Sequence, residues 1–212
     1  MSMDISLTTL DLMRHGQCDD DAHLRGMTDS TVSESGWQQM LTSVNHWPQR
    51  NNWQQVLTSP LQRCAVFAQQ FSRQRQLPCA VIPPLAEMHF GDWDGLSLQQ
   101  LLEQHGDAYE QFWQAPDQYN PPNGEPLRDF HRRTRLALDY ILTAYRGQHC
   151  LLLTHAGVIR SLLGHCLQTP LTHLNRVQIG YGGIAQIQVF HHPEQQDWMQ
   201  VTQLRPAPLT DE

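Results

Sequence analysis

The sequence predicts an α/β fold: a three-layer α/β/α sandwich around a mostly parallel central sheet. Three observations carry that reading. Short β-branched or apolar runs alternate with helix-period segments along the chain, the pattern of a sheet covered on both faces. Two of those runs, Leu12-Met13-Arg14-His15-Gly16-Gln17 and Leu151-Leu152-Leu153-Thr154-His155-Ala156-Gly157, stop abruptly at a histidine beside small residues. A buried strand does this when it delivers a polar side chain to its C-terminal edge, where open α/β sheets keep their reactive groups. Finally, 212 residues with 40% hydrophobic content suit one domain with a sizeable core, and no linker, repeat or low-complexity tract divides 1–212.

The elements follow in order. Ile5 to Met13 mixes β-branched and apolar residues and reads as a strand. Ser33 caps a helix through Trp37, Met40, Leu41 and Val44 to about Trp47, where Pro48 discourages continuation. Val56-Leu57-Thr58-Ser59 is a second strand, and Pro60 suits the first turn of a helix carrying Leu61, Cys64, Ala65, Ala68 and Phe71. Ala80-Val81-Ile82 is a short strand closed by Pro83-Pro84. The stretch from about 90 to 125 changes character: it is rich in Trp, Gln, Gly and Asp, with helical patterns at Ser97–His105 and Asp107–Gln114, and it reads as a helical cap over the strand ends. The turn Asn120-Pro121-Pro122-Asn123-Gly124-Glu125 leads into a long amphipathic helix, with Phe130, Leu136, Ala137, Tyr140, Ile141 and Leu142 expected on its apolar side. His149–Thr154 is the second diagnostic strand, Val158–Leu167 the helix after it, and Ile184–Phe190 with Met199–Leu204 a closing pair of strands.

Composition narrows the functional class. A formal net charge of −7 leaves no overall basic field for nucleic acid or an anionic membrane, so an anionic substrate requires locally placed positive charge. Five cysteines without CxxC spacing suggest reduced thiols rather than a disulfide framework or zinc cluster. No apolar run approaches ~20 residues, and the first residues lack a secretory pattern, so the expectation is a cytoplasmic protein.

The candidate chemistry is phosphoryl transfer. A neutral imidazole is a competent nucleophile toward phosphorus, and an ordinary pKa near ~6.5 leaves His15 largely unprotonated at cellular pH. Its other ring nitrogen must be pinned, usually by a carbonyl, so that the attacking nitrogen keeps its lone pair. Arg14 offers a planar donor fork for phosphate oxygens, and Gly16 is read as a point of close approach to the substrate. Arg63, in the first turn of a helix that follows a strand, can return to the same sheet edge. His155 ends a strand and begins a helix, so an anion there would meet both imidazole and free N–H groups. Taken singly, these are an ordinary loop, a solvated charge and a core histidine; their convergence is what suggests a site. Glu87 is the favoured proton donor for the leaving oxygen, with Phe90 and Trp93 as aromatic neighbours that favour its donating form. Asp92 and Asp94 are rivals, with turn chemistry beside Gly91 and Gly95 as the competing role. His15, His155 and Asp19-Asp20-Asp21 are the conceivable metal donors, but HxH and HExxH spacings are absent and arginines would compete for the anion. Neither metal nor cofactor is expected, and the acidic run reads as a solvated loop.

With these residues assembled, the chain resembles the histidine phosphatase superfamily, the fold group that includes cofactor-dependent phosphoglycerate mutase, over nearly its whole length. The resemblance rests on Leu12-Met13-Arg14-His15-Gly16-Gln17, Thr28-Asp29-Ser30 with Ser33-Glu34-Ser35-Gly36, Ser59-Pro60-Leu61-Gln62-Arg63-Cys64, Leu85-Ala86-Glu87 with Phe90 to Gly95, and Thr154-His155-Ala156-Gly157-Val158-Ile159-Arg160. It implies a phosphoglycerate mutase-like fold, His15 as the phosphorylated nucleophile, Arg14, Arg63 and His155 as the phosphate pocket, and Glu87 as proton donor and acceptor. Gln17 and Ala156 complete the expected substrate-binding set. Within the superfamily the chain looks most like an α-ribazole phosphatase of cobalamin nucleotide-loop assembly, through Glu87 to Gly95 and through Ala115-Pro116-Asp117 to Glu125. Mutases usually carry a longer insertion and a Tyr-Gly version of the Glu87 motif. Gln17, Cys18 and Asp94 depart from the Glu, Thr and Glu of many members, which leaves the substrate open. The expected partner is a small-molecule phosphomonoester, not nucleic acid or membrane, and a homodimer through the closing strands is possible. A broad-specificity sugar or nucleotide phosphatase, a mutase and a silent phosphoryl-binding protein are the competing readings.

Overall fold

Strand β1 (Ser6–Arg14) runs through a six-stranded sheet completed by β2 (Gln55–Thr58), β3 (Cys79–Val81), β4 (His149–Thr154), β5 (Ile184–His191) and β6 (Trp198–Arg205), in the order β3-β2-β4-β1-β5-β6. The computed structural model describes residues 6–19 and 22–207, so Ile5 of the expected first strand and Asp20-Asp21 of the acidic run lie outside the described residues. The pairs β2/β3, β2/β4 and β1/β4 are parallel; β5 is antiparallel to both β1 and β6.

Alternation along the central strands builds both cores. On β4, Cys150 and Leu152 face one side, with Leu10 and Leu12 of β1 and the helices α4 (Leu127–Ala144) and α5 (Ala156–Cys166). Leu151 and Leu153 face the other, with Met13, α1 (Glu34–His46) and α2 (Gln62–Arg75). Leu151, Leu152 and Leu153 are fully buried, each stabilising the fold by about 1.5–3 kcal/mol. This run cannot be an amphipathic strand, because both of its faces are covered.

Several helix boundaries have local causes. Ser33 caps α1 by accepting the Gly36 N–H, as its position predicts. Pro60 lies ahead of α2 rather than in its first turn; the N-terminal amide of Gln62 is satisfied from a distance, by the Asp29 carboxylate. The two expected helical patterns near 97–114 form one helix, α3 (Leu98–Gln114), opened by a Ser97/Gln100 capping box and kinked at His105. On α4 the buried face is Leu127, Phe130, Thr134, Ala137, Leu138, Ile141 and Leu142. Leu136 and Tyr140, expected inside, are exposed, because they sit about a third of a turn off that stripe.

The site's location follows from topology. β1 and β4 are neighbours, yet β1 leads to α1 on one face and β4 leads to α5 on the other. Connections departing to opposite faces leave a crevice at the C-terminal ends of these strands.

Candidate active site

His15 follows β1 and opens into that crevice, its amide donating to the Thr154 carbonyl at the end of β4 (3.0 Å). Its Nδ1 lies 2.8 Å from the Gly16 carbonyl oxygen. A carbonyl only accepts, so Nδ1 carries the proton and Nε2 keeps its lone pair. Burial first, then the charges of Arg63 and Arg14, push the His15 pKa well below its ordinary value. The ring is therefore neutral, with one nitrogen fixed and the other available.

His155 caps the start of α5 and meets the His15 ring edge-on, with centroids 5.3 Å apart. Arg63 Nε donates to His155 Nδ1 (3.2 Å), so the His155 proton sits on Nε2 and is directed at Ser59 Oγ (2.7 Å). Burial and then Arg63 hold His155 neutral as well. The rest of the Arg63 fork is occupied: Nη1 donates to the Thr28 carbonyl and Nη2 to the Gly26 carbonyl, both at 2.7 Å. Arg63 and His155, expected in the phosphate pocket, are thus buried beside His15 and are not among the side chains that line the cavity. The cause is the loop at 24–28, whose carbonyls cover the guanidinium. Arg14 donates to the Ile179 carbonyl (2.7 Å) and sits over the Tyr181 ring, its guanidinium carbon 3.8 Å from the ring centre.

Glu87 arrives from a different direction, on the loop after β3. Its carboxylate accepts the amides of Met88 (2.9 Å) and Gly157 (3.0 Å), the latter in the first turn of α5. A Cβ at Gly157 would stand 2.3 Å from Glu87 Oε1, so only glycine admits the carboxylate there. Arg133 holds the backbone of this loop, donating to the carbonyls of Pro84, Ala86 and Glu87 while forking onto Glu125. Of the expected aromatic neighbours, Phe90 lines the cavity with Glu87, whereas Trp93 packs into the cap against Tyr109 and Phe112. The rivals of Glu87 have structural roles: Asp92 accepts from the Asn123 side chain, and Asp94 from the amides of Gly26, Met27 and Thr28.

These groups border a cavity of about 200 Å³. Arg14, His15, Arg25, Glu87, Ala156, Gly157 and Arg160 form its polar end; Leu24, Met88, Phe90, Phe112, Trp113, Leu127, Phe130 and Leu174 form an apolar wall drawn largely from the cap and α4. Ala156, one of the expected substrate-binding residues, is among these lining residues. Gln17 is not among them; its backbone is tied to Ser33 and Gln39 at the entry to α1. Gly16 also has another role. A Cβ there would stand 2.0 Å from the Gly36 carbonyl oxygen, so the residue lets the His15 loop approach α1 rather than making room for substrate.

Four participants were missed by sequence reasoning: Ser59, Arg25, Arg160 and Tyr181. Ser59 and Arg160 lie inside quoted motifs but carry no spacing that reveals an orientation; Arg25 and Tyr181 reach the site from loops with no motif at all. Among the described residues, no group of His, Cys, Asp and Glu side chains is arranged to hold a metal ion, and no helix is long and apolar enough to cross a membrane. The five cysteines are free thiols; burial pushes Cys150 up to about 12 and Cys64 higher still.

Comparison with known proteins places this geometry in context. The family profile described as histidine phosphatase superfamily (branch 1) matches residues 10–202. A protein of Mycobacterium tuberculosis named bifunctional protein Rv2228c is 29% identical over 180 residues, 84% of this chain and 49% of that protein. The chain thus spans about half the length of its mycobacterial relatives. The adenosylcobalamin/alpha-ribazole phosphatase of Salmonella typhimurium is 26% identical over 178 residues, 81% of this chain and 85% of that protein. Among solved structures, YhfR of Bacillus stearothermophilus superposes with a TM-score of 0.80 at 30% identity, covering 88% of this chain and 95% of its own.

Proposed function

This chain belongs to the histidine phosphatase superfamily, and we propose that it is a phosphatase that hydrolyses phosphomonoesters without a metal ion, through a phosphohistidine on His15. One observation carries the proposal: His15 is held neutral, with Nδ1 on the Gly16 carbonyl and Nε2 left as a nucleophile beside the cavity. In the first step Nε2 attacks phosphorus in line, the N–P bond forming as the P–O bond breaks. Protonated Glu87 gives its proton to the departing oxygen. Arg14, on the cavity wall, directly stabilises the equatorial oxygens, where most of the work of phosphoryl transfer lies, and the Arg63 charge adds to it at longer range from beside His15. The first turn of α5 adds an N-terminal dipole near Ala156. In the second step the Glu87 carboxylate takes a proton from water, which attacks the phosphohistidine, releases phosphate and restores neutral His15.

The substrate we propose is α-ribazole 5′-phosphate. The Phe90, Phe112, Trp113 and Phe130 wall suits the flat, apolar base of such a leaving group, and the Salmonella relative bears that activity in its name. Glycerate, small and anionic, has no use for such a wall. A substrate panel tests this: α-ribazole phosphate should exceed 3-phosphoglycerate and common sugar phosphates in kcat/KM by at least ~10-fold, with chelator making no difference. Faster turnover of sugar phosphates transfers the reading to a broad-specificity phosphatase. In parallel, radiolabelled phosphate should be trapped on the protein in an acid-labile, alkali-stable form; a phosphatase that turns over without any such label does not use this route.

A further inference from the structure

The loop at 23–28 connects two parts of the molecule that the reaction needs together. It is stitched to the base of the cap: Leu24 N–H donates to the Leu96 carbonyl and Gly95 N–H to the Leu24 carbonyl, both at 2.8 Å. It also presents two carbonyls, Gly26 and Thr28, to the guanidinium of Arg63, which in turn donates to His155. Between these contacts stands the carboxylate of Asp94, at the start of the cap. Oδ1 accepts the amides of Gly26 (3.1 Å) and Thr28 (3.2 Å), and Oδ2 accepts that of Met27 (2.5 Å). The fit is tight, since a Cβ at Gly26 would stand 2.2 Å from the Met88 carbonyl oxygen and 2.8 Å from Asp94 Oδ2.

Three consecutive amides gathered on one carboxylate form a concave backbone turn with a single favoured shape. With the N–H groups drawn to Asp94, the flanking carbonyls are directed outward, toward Arg63. Charge-assisted bonds to an anion are roughly twice as strong as neutral ones, so the anion fixes the turn more firmly than a neutral side chain would. Arg63 in turn fixes the tautomer of His155, and its charge adds to burial in keeping the His15 imidazole neutral.

We propose that Asp94 is a positioning residue of the phosphatase reaction, acting through the 26–28 turn on Arg63 and thence on His155. This rests on the phosphohistidine reading given above, and it assigns to the cap a role in holding the phosphoryl pocket as well as the leaving group. Asn at this position keeps the shape, but it turns one of the two acceptor oxygens into a donor facing a donor. Glu keeps the charge and both oxygens.

The test is steady-state kinetics on an aryl phosphate with D94N, D94E, R63K and the D94N/R63K pair, alongside melting temperatures. D94N should lower kcat about 10- to 100-fold, the loss expected of a misplacement near 1 Å, with KM within about threefold. The Ki of vanadate should rise in step with the loss in kcat/KM, since both report the transition-state geometry. D94E should recover to within about threefold of the parent. In the R63K background the further loss from D94N should fall below about twofold, because the turn then has no fork to aim. Losses at Asp94 and Arg63 that simply multiply would overturn the positioning role, as would a D94N enzyme with parental kcat. The two readings fail separately: turnover surviving in His15→Ala overturns the phosphohistidine route, while multiplying losses overturn the Asp94 role alone.

Discussion

Strand β1 supports two buried polar clusters, one at Asp11 and one just past its end at His15, and they are built to opposite specifications. The Asp11 carboxylate is fully buried, yet both oxygens are saturated: Oδ2 accepts from Trp47 Nε1, Trp53 Nε1 and His149 Nε2, all at 2.7 Å, and Oδ1 accepts from Gln186 (2.8 Å). The surroundings are the packed core of the α1 face. At His15 one ring nitrogen is satisfied and the other faces a cavity. A buried polar group with all of its bonds closed holds structure together, whereas one with a directed vacancy can react. Burial and residue type alone do not separate the two.

Substitutions should break the comparison in different measurable quantities. The largest effect is expected at His15. His15→Ala should lower kcat on an aryl phosphate by about 10^4-fold or more, some 5.5 kcal/mol of barrier, with the melting temperature within a few degrees of the parent. Activity loss matched by a collapse in stability would place His15 in the same class as Asp11.

Asp11→Ala should do the reverse. It strands two indole N–H groups, an imidazole and an amide in the core, at a cost of about 3–5 kcal/mol, read as a lower urea midpoint. Whatever folded protein remains should keep its kcat. A stable Asp11→Ala protein would mean that the four donors find other partners.

Gly157→Ala comes next, because it touches the reactive cluster without removing a polar group. The added Cβ displaces the Glu87 carboxylate, so kcat should fall by about 10- to 100-fold with little change in stability. Parental kinetics would show that Glu87 is not held where the reaction needs it.

The smallest effect concerns pH. Folding lowers the pKa values of His15 and His155 below their ordinary value. As pH falls below about 6.5, the unfolded chain takes up protons that the folded one refuses, so stability declines through the window down to the depressed native values. The slope from one such group is at most about 1.4 kcal/mol per pH unit. A His15→Ala protein should therefore lose less stability between neutral and mildly acid pH than its parent. Identical profiles would contradict the buried, neutral state of His15.

Much of this is legible in the sequence. The strand-end motifs at His15 and His155 marked the edge of a parallel sheet, and the Ser33 cap and the apolar run at Leu151–Leu153 needed only local rules. The errors are equally physical. Leu136 and Tyr140 are apolar residues in a helix, but which stripe of α4 turns inward depends on what α4 packs against. Pro60 fits a helix start by type, yet the cap of α2 is Asp29, a residue remote in sequence. Gly16 signals close approach, but not to what; the answer is Gly36.

The sequence by itself determined the alternation of strands and helices and the chemical kinds brought to one sheet edge, because strand periodicity and strand-end residues are properties of short segments; the family came from the resemblance of its motifs and from the matching family profile. Only the tertiary structure decided which histidine nitrogen is left open, that Arg63 and His155 are buried beside His15, and that Asp94 serves the 26–28 turn. Those facts depend on hydrogen-bond partners brought from distant parts of the chain, and no local pattern encodes where such a bond will end.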